Sequence, residues 1–168
     1  MKDNTKKFDS QFRKLLQVGI IVRNVDEAVK AYEEKYGFGP WKISLMSNKI
    51  PVFHEMTING EKTDFEIKVA MCNCFGMEFE LIEPLSDSPY KKWLETRGPG
   101  IHHLAFLTKD NYEKLLKDHQ DSTGKEPWIR GECPTIGMDF SYLDFTEELG
   151  MIAEVYKMDN TKQPGHEF

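Results

Sequence analysis

A chain of 168 residues, 39% hydrophobic and 30% charged, has the apolar content of one ordinary domain or two small fused modules. Its formal charge of −6 argues against a nucleic-acid partner, and it has no apolar run of the roughly 18 residues that would span a membrane. The polar, lysine-rich start from Met1 to Arg13 is unlike a secretion signal, and an odd set of three cysteines reads as reduced thiols in a cytoplasmic protein.

Residues 1–13 read as a tail or a loosely docked helix. A first strand is expected from Leu16 to Arg23. Asn24 then caps a helix, with Glu27 three residues on to reach back. Val25, Ala28, Val29, Tyr32 and Tyr36 form its apolar stripe, and Gly37 supplies a left-handed stop. Trp41 to Met46 reads as a strand, followed by a polar hairpin-like excursion around Asn59-Gly60. Two more strands are expected at Phe65 to Cys72 and at Met77 to Ile82. Cys72 and Cys74, two apart, would share a strand face as small packed residues. Ser88-Pro89 opens a connecting helix with Tyr90, Trp93 and Leu94 on its apolar side.

The pattern then repeats. A strand runs from Ile101 to Thr108, and Asp110 with Glu113 opens a helix carrying Leu115, Leu116 and His119. Further strands fall near Trp128, at Phe140 to Phe145 and at Met151 to Tyr156. Strand, helix and three strands occur twice, which constrains the fold more than any single propensity. The expected organisation is a tail over 1–13, a first βαβββ module over 14–86, a linker helix and second module over 87–157, and a tail over 158–168. Each module has an open sheet face that needs cover from its sister or from a second chain.

Superposing the two modules in sequence picks out four positions. Gln17-Val18-Gly19-Ile20 lies over His103-Leu104-Ala105-Phe106, and Phe79-Glu80-Leu81-Ile82 over Ala153-Glu154-Val155-Tyr156. Strand alternation puts Gln17 and Gly19, and likewise His103 and Ala105, on the face away from the helix. Gly19 and Ala105 leave room above the polar groups. A register slip of one residue would instead turn His102 inward. Glu80 and Glu154 each place a carboxylate inside an apolar strand, which is costly unless it is paired or holds a metal. Gln17, Glu80, His103 and Glu154 make a mixed nitrogen and oxygen set suited to a divalent Zn, Co, Ni or Mn ion. Asp64, Glu66 and Lys68 are weaker candidates for a second base or a carbonyl contact. Trp41, Trp93, Trp128 and the methionines read as core or dimer surface before pocket lining.

These segments carry a resemblance. Val18-Gly19-Ile20-Ile21-Val22, Phe79-Glu80-Leu81-Ile82-Glu83-Pro84-Leu85, Gly100-Ile101-His102-His103-Leu104-Ala105-Phe106 and Leu149-Gly150-Met151-Ile152-Ala153-Glu154 resemble the glyoxalase / bleomycin-resistance / dioxygenase superfamily. Within it the chain is most similar to methylmalonyl-CoA epimerases. The resemblance implies an α+β vicinal oxygen chelate fold, two βαβββ modules forming a curved mixed sheet around a metal site. It implies a homodimer and an isomerase acting on an acyl-CoA through an enolate, with Glu154 and Glu80 as bases. Gln17 stands where epimerases usually carry histidine, and the resulting set is similar to that of zinc-type glyoxalase I enzymes, which act on a thiol adduct. A non-catalytic binding protein of the same fold is a further alternative. An iron dioxygenase, with two histidines and a glutamate, fits Gln17 poorly.

Overall fold

The computed structural model describes residues 10–47, 49, 55–108, 112–134 and 137–158. In chain order these form β1 (Phe12–Ile21), α1 (Val25–Tyr36), β2 (Lys42–Ser47), β3 (Glu55–Ile58), β4 (Glu61–Lys62), β5 (Glu66–Cys74) and β6 (Met77–Pro84). Then come α2 (Pro89–Arg97), β7 (Gly100–Thr108), α3 (Tyr112–Thr123), β8 (Ile129–Cys133), β9 (Met138–Phe145), the single turn α4 (Thr146–Leu149) and β10 (Met151–Met158).

The helix signals act as the sequence implies. Asn24 Oδ1 accepts the backbone N–H of Glu27, and Gly37 closes α1 at φ 69°. Ser88 accepts from the N–H of Lys91 and caps α2 in the same way. Asp110, expected to cap α3, lies outside the described residues. The strand β1 starts at Phe12, so Phe12 to Leu15 extend it beyond the expected Leu16.

All ten strands join one sheet, in the order β2-β5-β6-β1-β7-β10-β9-β8-β3-β4. Each module builds the same four-strand unit, with its last strand parallel to its first. The units meet where β1 and β7 pair antiparallel. The first module adds a hairpin that the repeat does not foretell. Asn59 and Gly60, at φ 50° and 81°, turn β3 back into β4, and β3 pairs with β8 of the second module.

Three apolar clusters follow from this layout. Under α1, Val25 and Val29 pack on Ala70 and Leu81. Under α3, Leu115 and Leu116 pack on Leu143 and Val155. The third cluster fills the inner face of the sheet, where Ile21, Ile67, Val69 and Ile129 meet Met56 of the hairpin and Tyr90 of α2. The open faces of the two modules thus cover each other, helped by the hairpin and the connecting helix. Cys72 and Cys74 share a face with their sulfurs 3.3 Å apart, and burial pushes the Cys72 thiol up to about 11.

His119 completes the apolar side of α3. It is 2% exposed, stacks edge-on against Phe145 at 5.0 Å, and neither ring nitrogen has a hydrogen-bond partner among the described residues. Burial lowers its pKa, outweighing the opposing pull of Glu148 and Asp144. The unfolded chain therefore takes up this proton at a higher pH than the folded one. The neutral ring's stabilising contribution is complete above about pH 6.5 and is lost as pH falls toward the lowered folded value. His119→Leu is expected to lose less stability than wild type between pH 7.5 and pH 5, read from denaturant midpoints. An equal loss in both proteins would show that His119 does not titrate in this way.

Candidate metal centre

Four adjacent strands at the middle of the sheet bring the four side chains together on the inner face. They are Glu80 on β6, Gln17 on β1, His103 on β7 and Glu154 on β10, and all four are buried. Their rows are set by strand register. Gly19 lies between Glu80 and His103, and Ala105 lies between Gln17 and Glu154. A small residue at each crossing lets its larger neighbours lean over it. The room above Gly19, expected as empty space, is taken by the His103 imidazole. A Cβ on Gly19 would stand 1.9 Å from His103 Cε1. Gly19→Ala is therefore expected to displace the ring and lower stability by about 1–3 kcal/mol. Thermal melting and zinc titration check this, and an unchanged pair would contradict it.

The convergence is on one atom. His103 Nε2 lies 3.4 Å from Gln17 Oε1, 3.5 Å from Glu80 Oε2 and 3.2 Å from Glu154 Oε2. Among the described residues, no three His, Cys, Asp or Glu side chains stand in finished metal-binding geometry. The donor spacing nonetheless fits an ion. Ligand bonds of about 2.0–2.2 Å put neighbouring donors roughly 3.0–3.5 Å apart. The electrostatics point the same way. Burial, then the charges of Glu154 and Glu78, hold Glu80 well above the ordinary carboxylate range. Two buried carboxylates beside a third call for a cation, and no lysine or arginine is among the described residues lining the space above them.

Several contacts brace these groups. Gln17 Nε2 donates to Glu78 Oε1 at 2.7 Å, which turns the glutamine oxygen toward His103. The Tyr156 hydroxyl donates to Glu154 Oε2 at 2.9 Å and to Gln17 Oε1 at 3.3 Å. Tyr142 presents its ring to His103 at 4.8 Å, nearly perpendicular. Strand alternation could have found Glu78 and Tyr156, each two residues from a glutamate of the set. Tyr90 comes from the connecting helix and had no signal of this kind.

Above these groups lies a cavity of about 80 Å³ that opens to solvent. Met46, Met56, Met71 and Met138 line it with Phe65, Ile67 and Phe140, so four methionines are wall rather than plain core. The hydroxyl-bearing Tyr90, Tyr142 and Tyr156 complete the lining. Burial keeps these phenols well above their usual range, so they are neutral donors. The weaker candidates are elsewhere. Lys68 pairs with Asp26 of α1 at 2.6 Å, and Asp64 is exposed. Trp41 packs on Tyr32 outside the space, while Trp93 and Trp128 surround His102.

A family model described as the Glyoxalase/Bleomycin resistance protein/Dioxygenase superfamily matches residues 16–131, and the chain belongs to that superfamily. Over 103 residues it is 32% identical to the uncharacterized protein YqjC of Bacillus subtilis (strain 168), covering 61% of this chain. The chain spans 62% of the length of that curated relative. A methylmalonyl-CoA epimerase from Mycobacterium tuberculosis matches in structure with a TM-score of 0.60 at 20% identity, over 90% of this chain and 92% of that one. A variant of Streptomyces coelicolor methylmalonyl-CoA epimerase in complex with 2-nitronate-propionyl-CoA matches with a TM-score of 0.58 at 22% identity, over 91% and 99%. At these identities the likeness is one of fold.

Proposed function

We propose that this protein is a metal-dependent isomerase that moves a proton at a carbon beside a carbonyl, through an enolate, in the manner of a methylmalonyl-CoA epimerase acting on an acyl-CoA. The observation that carries the reading is the approach of three oxygens, from Gln17, Glu80 and Glu154, to Nε2 of His103. Those four side chains would hold a divalent ion of the Zn, Co, Ni or Mn kind. When bound, such an ion supplies Lewis-acid stabilisation of the carbonyl oxygen on which charge develops.

The protein's own groups do the rest. Glu154 and Glu80 both line the space where substrate would sit, on strands separated by β1 and β7, so they approach it from two sides. One carboxylate takes the α-proton and the other returns one, which inverts the carbon. The Tyr156 hydroxyl orients the Glu154 carboxylate. The methionine and phenylalanine walls limit water around the enolate, and the returned proton comes from a carboxylate that exchanges its hydrogen with solvent.

The names of the two epimerases support the acyl-CoA reading. The donor set of glutamine, two glutamates and histidine favours a second one, a glyoxalase I-like enzyme acting on a thiol adduct. The experiment is solvent deuterium exchange at the reacting carbon, followed by NMR on metal-loaded protein. One arm offers methylmalonyl-CoA, the other the hemithioacetal of methylglyoxal and glutathione. Exchange in the first arm is expected. Exchange in the second alone would transfer the function to the glyoxalase reading, and exchange in neither would leave a binding protein. A homodimer is part of the same proposal. The strand β2 ends the sheet and exposes Ile43 and Leu45, an edge that a second copy would cover.

A further inference from the structure

His102 precedes His103, so alternation should send it to the opposite face of β7, yet it lies on the same side. The pairing of β1 with β7 explains this. Gly19 faces His103 and Ile20 faces Ile101, so His102 is the extra residue of a β-bulge. In the first module Leu16 is likewise the extra residue, just before Gln17. Where Leu16 supplies a plain apolar side chain, the second module carries an imidazole.

The bulge puts His102 Nδ1 3.0 Å from His103 Nδ1. The rest of the His102 ring sits among aromatic rings, with centroids at 4.8 Å for Trp93, 5.1 Å for Trp128 and 5.3 Å for Tyr90. Its Nε2 is buried and has no hydrogen-bond partner among the described residues. A hydrogen bond between two ring nitrogens holds one hydrogen, and there are two ways to place it. If His102 donates, its buried Nε2 is a bare lone pair within a cage of aromatic rings. If His103 donates, His102 Nε2 carries a hydrogen in that cage, and aromatic π systems accept an N–H but not a lone pair. The second arrangement also leaves the His103 Nε2 lone pair directed at the three oxygens, where a cation would accept it.

We propose that His102 is a positioning residue whose bulged Nδ1 accepts the Nδ1–H of His103 and so presents the His103 Nε2 lone pair to a divalent cation. This rests on reading the four donors as a metal site. Gly19 beneath the His103 ring and Tyr142 beside it limit ring tilt, and His102 decides which nitrogen bears the hydrogen.

The test uses full-length protein and zinc. In zinc-loaded wild type, ¹⁵N spectra are expected to show a hydrogen on His103 Nδ1 with a through-hydrogen-bond coupling to an unprotonated His102 Nδ1. His102→Phe keeps an aromatic ring in the cage and removes the acceptor. It is expected to weaken zinc binding about 10–100-fold. His102→Asn puts Oδ1 where Nδ1 stood and is expected to recover most of the loss. A hydrogen on His102 Nδ1 in the wild type would overturn the inference, and so would zinc affinity unchanged in His102→Phe. An equal loss in both variants would overturn it too, since that would report packing alone. Wild type that binds no zinc would overturn the metal reading itself.

Discussion

Protein carrying His103→Ala is expected to purify without a divalent ion, while wild type carries one per chain. His103 Nε2 is the point on which the Gln17, Glu80 and Glu154 oxygens converge, and the set has no other nitrogen donor. Without it, two buried carboxylates and an amide oxygen remain as a weaker, all-oxygen set. Deuterium exchange into substrate should fall on the order of a thousandfold or more, because the developing oxyanion loses its main stabilisation. Truncating so buried a ring also costs folding stability, roughly 2–4 kcal/mol. Metal content is therefore measured per folded protein, by elemental analysis after gel filtration. Stoichiometric metal in the folded variant would end the reading of this cluster as a metal centre.

The second large effect is expected from Glu154→Gln. Glutamine keeps the length and one oxygen of glutamate but cannot take a proton in the working pH range. Its oxygen can still accept from the Tyr156 hydroxyl, which now donates to Glu154 Oε2 at 2.9 Å, so the pocket should keep its shape. If Glu154 is a base, exchange of the substrate α-proton should slow by about 10²–10⁴-fold. Zinc should still bind, because the site already uses one amide oxygen, that of Gln17. The pairing of these two variants separates roles: His103→Ala removes the ion and the chemistry, Glu154→Gln the chemistry alone. Exchange at the wild-type rate in Glu154→Gln would remove Glu154 from the mechanism and leave Glu80 as the remaining carboxylate of the set.

Much of this site is legible in the amino-acid sequence, for a physical reason. Strand alternation has a period of two, so once two copies of one module are superposed, a polar residue on the inner face of one predicts its counterpart in the other. Gln17, Glu80, His103 and Glu154 come out of that rule, and they meet at one atom. The caps at Asn24 and Ser88 are local chemistry, an oxygen two or three residues from a free N–H, and needed no tertiary information. The membership of the superfamily was carried by short contiguous segments that the matched region largely contains.

What escaped the sequence was non-local. A bulge changes strand pairing by one residue, and nothing in Ile101-His102-His103 announces it, so the inward turn of His102 appears only when β7 is laid against β1. The hairpin was visible at Asn59-Gly60, but its partner was not. The closest strand along the chain is not the one it joins, because β3 bonds to β8 across the sheet. Tyr90 reaches the site from a helix whose stripe said only that it would be buried. The chain by itself therefore determined the two modules, their helix caps and the four polar residues that face inward, because each depends on periodicity or near-neighbour chemistry. Only the tertiary structure decided which groups brace those four and what walls the space above them, because bulges and cross-sheet closure depend on strands far apart in the chain.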